Sequence, residues 1–155
     1  MSVCKKGGYA FFYNGPFSNW FPSEFTVDGI KYNCGEQYMM HMKALFFKDE
    51  ETAKMIMQTT RPEKQKELGR SVKYYNDNTW SKVRYELVKK GLREKFSQNK
   101  DLKNFLLSYR EFIIVEASPY DRIWGIGYDD RSAINNIKDW GENLLGRILN
   151  ELVNE

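Results

Sequence analysis

Residues 35–47 read GEQYMMHMKALFF, and within them Glu36, Met40, Lys43 and Phe47 recur at spacings of four, three and four. Because an α-helix turns about 100° per residue, this spacing predicts a helix with the four side chains on one stripe. Glu36 and Lys43 then stand about 20° apart around the axis and two turns apart along it. Methionine and phenylalanine on the same stripe turn it toward a core or a cleft. A carboxylate and an ammonium placed there are partly desolvated and close enough to bracket a small bond. The competing reading of the same residues is a surface ion pair that apolar side chains merely flank. His41 falls about 140° from Glu36, so it reads as a packing or hydrogen-bonding residue and not as a catalytic base.

Outward from this helix, the upstream chain reads as short strands. One covers 9–13, and a hairpin pairs 25–27 with 30–32 across the turn dipeptide Asp28-Gly29. Downstream, Asp49 is placed to cap a helix over 50–57, and a shorter helix follows Pro62, a residue favoured in the first helical turn. The clearest helix covers 79–97, with Trp80, Val83, Leu87, Val88, Leu92 and Phe96 along one face and Lys82, Lys89, Lys90, Arg93 and Lys95 largely elsewhere. Another helix near 102–107, a β-branched strand over 112–115 and a final helix over 142–153 complete the pattern. The predicted class is α+β: a compact, predominantly helical single domain, 1–155, with a few short strands. Its 155 residues suit one domain, and no repeat, low-complexity segment or Gly/Ser/Pro linker divides them.

Composition narrows the chemistry. A chain of this size buries roughly 70% of its unfolded surface and needs no disulfide or metal to hold a pocketed core. Two cysteines, Cys4 and Cys34, are too few for a disulfide scaffold, and one histidine cannot build a multi-histidine metal site. No metal or cofactor is expected, and acid–base work falls to carboxylates, lysines or tyrosines. The formal charge of +3 is unevenly spread: residues 61–110 carry 14 basic and 6 acidic side chains, leaving 10 basic and 15 acidic elsewhere. This basic segment is either a solvated helical face or a surface that attracts phosphates. Lys5 and Lys6 precede an apolar run too short for a signal-peptide core, and the longest uncharged stretch, 7–23, is broken by Pro16, Pro22 and polar residues. A cytoplasmic protein with no membrane span is expected.

Two further stretches stand out. In 113–127 a hydrophobic strand runs into Glu116, a turn, Asp121 and then Trp124-Gly-Ile-Gly127. Glycine at 125 and 127 permits close backbone approach to a ligand, and Trp124 offers a flat face for a base or sugar; a tight turn closed by a core tryptophan is the plainer alternative. The spacing lacks the third glycine of a dinucleotide fingerprint. In 139–147 a helix opens on small and polar residues, which suits an anion or simple capping by Asp139.

Together these pieces resemble the NADAR family, also called YbiA-like N-glycosidases, in order from Phe12 to about Leu149. The motifs are Phe17-Ser18-Asn19-Trp20; Gly35-Glu36-Gln37-Tyr38 with Lys43; Trp80; Lys95-Phe96; Val115-Glu116; Asp121; Trp124-Gly-Ile-Gly127; and Gly141-Glu-Asn143-Leu-Leu145-Gly146. The resemblance implies hydrolysis of an N-ribosidic bond between a ribose-phosphate or ADP-ribose moiety and a nitrogen base. The substrates it implies are ribosylamino-pyrimidine phosphates of riboflavin synthesis or ADP-ribosylated guanine in nucleic acid. It makes Glu36, Lys43 and Asp121 catalytic. Phe17, Ser18, Asn19, Trp20, Trp124, Gly125, Gly127, Glu116 and Asn143 become substrate-binding or supporting residues. Two features depart from the family pattern: residues 128–139 form a longer segment, and Asn150 stands where an apolar residue is common.

Such a cleavage leaves positive charge on the sugar and negative charge on the departing base, so it calls for a carboxylate near C1 and a proton donor near the base nitrogen. Glu36 or Asp121 suits the first role. Lys43 either stabilises the leaving base or, as a neutral amine, attacks a ring-opened sugar to form a Schiff base. Two readings from other classes compete: a non-catalytic module that sequesters ADP-ribose or a related nucleotide, and a nucleic-acid-binding module using residues 61–110.

Overall fold

The computed structural model describes residues 3–155, in the order β1 (Val3–Lys6), β2 (Tyr9–Phe12), β3 (Phe25–Val27), β4 (Ile30–Tyr32), α1 (Gly35–Phe46), α2 (Glu50–Gln58), α3 (Pro62–Arg70), α4 (Asp77–Ser97), α5 (Lys100–Leu107), β5 (Ile113–Glu116), a 3-10 helix (Ile134–Asp139) and α6 (Leu144–Val153). The α+β class and its helical bias are as expected. The chain divides into two compact units: Asn19–Lys100, and the residues up to Ser18 together with Asp101–Glu155.

In the helical unit, Asp28 and Gly29 both take left-handed backbone (φ 50° and 82°), as a two-residue hairpin turn of the twist-matched type requires, so β3 and β4 pair with Val27 opposite Ile30. Helix α1 is the hub and packs against α2, α3 and α4. Two glycines open the room for this. A Cβ on Gly91 of α4 would lie 2.2 Å from the Tyr38 ring, whose hydroxyl donates to the Leu87 carbonyl at 2.7 Å, and one on Gly69 of α3 would lie 1.9 Å from the Met40 sulfur. Asp49 caps α2 by accepting from the Thr52 N–H at 3.1 Å, and Pro62 opens α3.

Helix α4 begins at Asp77, two residues before the expected start, because Asn76 supplies a cap to the Thr79 N–H at 3.1 Å. Its buried stripe also differs. Trp80, Arg84, Val88, Gly91, Leu92, Lys95 and Phe96 are buried, whereas Val83 and Leu87 are only half-buried. The 3.6-residue period through Trp80 and Val88 passes over Arg84 and Lys95, and the helix follows that period even where it carries charge. Lys95, expected off the apolar face, is fully buried.

In the other unit β1, β2 and β5 form one sheet in the order β1-β2-β5, antiparallel between β1 and β2 and parallel between β2 and β5, with Phe11 opposite Val115. Strand β1 was not anticipated from sequence. It is short and half-exposed, and its one signal is the Gly7-Gly8 turn, where both residues have positive φ. Residues 128–139 are ordered around Ala133, which is fully buried. Trp140 donates its indole N–H to the Ala133 carbonyl at 2.9 Å and meets the Tyr9 and Phe11 rings edge-on at 5.2 and 5.9 Å.

Helix α6 starts at Leu144 rather than 142 because Asn143 is left-handed (φ 52°). Asn143 and Asn150, two turns apart, both reach β5. Asn143 accepts from the Glu116 N–H at 2.9 Å and donates to the Ile114 carbonyl at 3.3 Å, while Asn150 accepts from the Ile114 N–H at 2.9 Å and donates to its carbonyl at 3.1 Å. The departure from family pattern at Asn150 is thus a backbone clamp. Among the described residues, no helix is long and apolar enough to cross a membrane.

Candidate active site

In the helical unit the stripe on α1 faces inward as its spacing predicts. Glu36 is 5% exposed, Met40 is buried, and Lys43 and Phe47 are half-buried. The Glu36 N–H donates to the Asn19 carbonyl at 2.8 Å, tying the start of α1 to the Phe-Ser-Asn-Trp segment. Asn19 is 7% exposed, and its side-chain oxygen has no hydrogen-bond partner among the described residues. It lies against Gly35, where a Cβ would come within 2.5 Å of it. A buried acceptor without a protein partner costs about 1–3 kcal/mol. Trp20, next in sequence, is exposed.

Opposing influences act on Lys43. The nearby carboxylates of Glu36 and Asp77 raise its pKa, but burial is the largest influence and, with the charge of Arg70, carries the amine below its ordinary value. Its Nζ sits 4.4 Å above the Tyr75 ring. Sequence reasoning did not single out Tyr75; the aromatic pair Tyr74-Tyr75 just ahead of the cap Asn76 was the available signal.

Lys95 is the other residue whose role the sequence understated. Fully buried on α4, it has its pKa pushed down to about 7 by desolvation, with Cys34 pulling the other way. Burial raises the Cys34 thiol, and the charges of Glu36 and Lys95 act on that thiol in opposite directions. The thiol donates to Gln65 Oε1 at 3.2 Å. Glu36, Cys34 and Lys95 therefore share one electrostatic neighbourhood beneath the start of α1. His41 is buried and paired with the Tyr32 hydroxyl at 2.8 Å through Nδ1, and burial lowers its pKa.

The strand-and-loop unit holds the remaining candidates. Phe17 packs against the rings of Phe12, Phe105 and Tyr109 at 5.4, 4.9 and 5.4 Å, and the buried Ser18 donates its N–H to the Gly15 carbonyl at 2.9 Å. Asp121 folds its own loop: Oδ1 accepts from the N–H groups of Ile123 and Trp124 at 2.8 and 2.9 Å. Trp124 is half-buried. The loop glycines make room for protein atoms. A Cβ on Gly125 would meet the Glu116 and Asp121 carbonyls at 2.9 and 3.0 Å, and one on Gly127 (φ 80°) would meet the Arg122 side chain at 2.7 Å. Glu116, half-buried at the end of β5, is held through its N–H by Asn143. Where β2 and β5 end, a cleft of about 280 Å³ opens between Tyr13, Tyr120, Asp129 and Asp130, and neither Asp121 nor Trp124 lines it.

A mostly helical α+β chain that presents a buried carboxylate and a lysine of depressed basicity on one helix is equipped for acid–base or amine chemistry. Comparison with known proteins gives this class its family. The NADAR domain family matches residues 11–155. The chain is 44% identical to N-glycosidase R617 of Acanthamoeba polyphaga mimivirus, over 90% of this chain and 86% of the relative. It is 30% identical to N-glycosidase YbiA of Escherichia coli (strain K12), over 89% and 79%. It is 29% identical to riboflavin biosynthesis protein VVA0006 of Vibrio vulnificus, over 88% of this chain and 34% of that one. The NMR structure of the E. coli protein YbiA superposes with a TM-score of 0.79 at 27% identity, covering 99% of this chain and 88% of that one. The chain belongs to the NADAR domain family.

Proposed function

We propose that the protein hydrolyses the N-ribosidic bond between a ribose-phosphate or ADP-ribose moiety and a nitrogen base. That it is a hydrolase of N-glycosyl bonds rests on its family and on the two relatives named N-glycosidases. What supports the residue assignment is the pair on α1: a buried Glu36, and on the same face a Lys43 whose amine burial has made less basic despite the carboxylate. In the reaction the C1–N bond breaks with its electron pair on the base nitrogen, which takes up a proton. Water adds to C1 and loses one. Glu36 opposes the positive charge that grows on the sugar.

Lys43 serves as the amine. The ring opens as the C1–O4′ bond breaks, the ring oxygen taking a proton and the base nitrogen's lone pair forming C1=N. The unprotonated Lys43 amine, more accessible here than in an exposed lysine, adds to C1; the base leaves with the C1–N electron pair and a proton, and water hydrolyses the Lys43 imine to free sugar and amine. Asn19 offers its buried oxygen to a sugar hydroxyl or base N–H, beside Trp20. The family resemblance carries a catalytic role to Asp121 and a base-stacking role to Trp124, on a loop of their own unit shaped by Gly125 and Gly127 and backed by Glu116 and Asn143. Phe17 and Ser18 anchor the segment that leads to Asn19. The name of the Vibrio relative favours a ribosylamino-pyrimidine phosphate, and the basic segment 61–110 suits any phosphate-bearing substrate, ADP-ribosylated nucleic acid included.

The test is to incubate the protein with ribosylamino-pyrimidine phosphate and, separately, with an ADP-ribosylated guanine oligonucleotide, following released base by mass spectrometry. One substrate should be cleaved, with Glu36→Gln slower by about 10²–10⁴-fold. Borohydride added during turnover should leave a reduced sugar on Lys43. Tight binding without release from either substrate would make the protein a binding module instead.

A further inference from the structure

On the reading that Lys43 is the reacting amine, we propose that Tyr75 is a positioning residue that holds Lys43 in register. The ring lies 4.4 Å from Lys43 Nζ and meets Phe47 edge-on at 5.3 Å. Lys43 and Phe47, the residue that closes α1, are four residues apart, so the one ring touches both. The other end of the ring is tethered: its hydroxyl donates to Asp77 Oδ1 at 2.7 Å, and Asp77 lies 3.8 Å from the guanidinium of the buried Arg84. Tyr75 is thus fixed at one end to the first turn of α4 and lies at the other over the lysine.

Burial does not explain this placement, because Tyr75 remains 42% exposed. The backbone has accepted strain to reach it. Tyr74, immediately before, is left-handed (φ 64°), a conformation that is unfavourable for a non-glycine residue. The left-handed residue turns the chain just ahead of the Asn76 cap and brings the Tyr75 ring over α1. A lysine side chain has four rotatable bonds, and a ring 4.4 Å from Nζ that walls off one side leaves few directions for the amine to take, whichever its protonation state. An amine kept in one geometry reacts faster than one that searches, and misplacement by about 1 Å costs as much as 10²-fold.

Tyr75→Phe keeps the ring and loses the tether, whereas Tyr75→Leu loses the ring. In 13C-lysine-labelled protein the Lys43 ε-methylene protons should lie upfield of those of exposed lysines, stay upfield in Tyr75→Phe and return to the ordinary position in Tyr75→Leu. With the cleaved substrate, kcat should fall by roughly tenfold or more in Tyr75→Leu and recover largely in Tyr75→Phe, with KM moving less than about twofold in either. Equal kcat in the two variants would overturn the proposal. So would a loss confined to KM, which would make the ring a substrate contact, or Lys43 protons that are unshifted in the parent protein. If no substrate is turned over but the ring-current pattern holds, it is the glycosidase assignment of Lys43 that fails, and its placement by Tyr75 stands.

Discussion

The two units hold their candidate site residues by different means. In Asn19–Lys100, Glu36, Lys43 and Lys95 are carried inward on helices that satisfy most of their own backbone, and desolvation is the largest influence on the lowered pKa values of both lysines. In the strand-and-loop unit side-chain oxygens are spent on backbone. Asp121 closes a turn, Asp129 accepts from the N–H groups of Arg131 and Ser132, and Asn143 and Asn150 grip β5. The first arrangement tunes reactivity, and the second fixes geometry.

Glycine substitutions probe this division most strongly. Gly146→Ala would place a Cβ 2.4 Å from both the Asn143 amide and the Ile114 carbonyl. A sheet carbonyl cannot swing aside, so urea denaturation should show a loss of about 1–3 kcal/mol. Gly91→Ala meets the Tyr38 ring instead, a side chain that can tilt, and should cost less. The reverse order would mean that the helical packing is the more rigid of the two. A smaller effect is expected at Trp124: Trp124→Ala should raise KM for the cleaved substrate by roughly 3–10-fold, the worth of one aromatic stack, with kcat little changed. Unchanged KM would assign the indole to closing its own loop.

The smallest effect is electrostatic and belongs to the helical unit. Burial lowers the His41 pKa in the folded protein, so the unfolded chain binds the proton first as pH falls. His41 therefore contributes stability above its unfolded value near 6.5, and that contribution is lost as pH drops through the window between 6.5 and the lower folded value. The chain has one histidine, so a single imidazole signal should titrate by NMR with a midpoint below 6.5. A midpoint above 6.5 would place the ring in water or beside an anion.

What the sequence disclosed follows the same division. A period of 3.6 residues was enough to place Glu36 and Lys43 on one inward stripe, and Asp28-Gly29 marked its hairpin, because helix faces and tight turns are set by neighbours in sequence. Lys95 was misjudged because side-chain charge was given more weight than the period that carries it inward past Phe96. Tyr75 was missed because its importance comes from a strained residue before it and a helix more than 25 residues upstream. The roles of Asp121 and Asn143 as backbone clamps were equally hidden, since each depends on a partner strand or turn that composition does not mark.

The clamp on β5 has a consequence beyond the site. This strand is one edge of a three-stranded sheet, and an open edge is a template on which another chain can crystallise its own strand. Two asparagine amides already occupy the Ile114 N–H and carbonyl and the Glu116 N–H, so that edge of the sheet is finished in side chains. A second copy approaching from that side finds no ladder to extend, because the residues that seat the final helix already fill it.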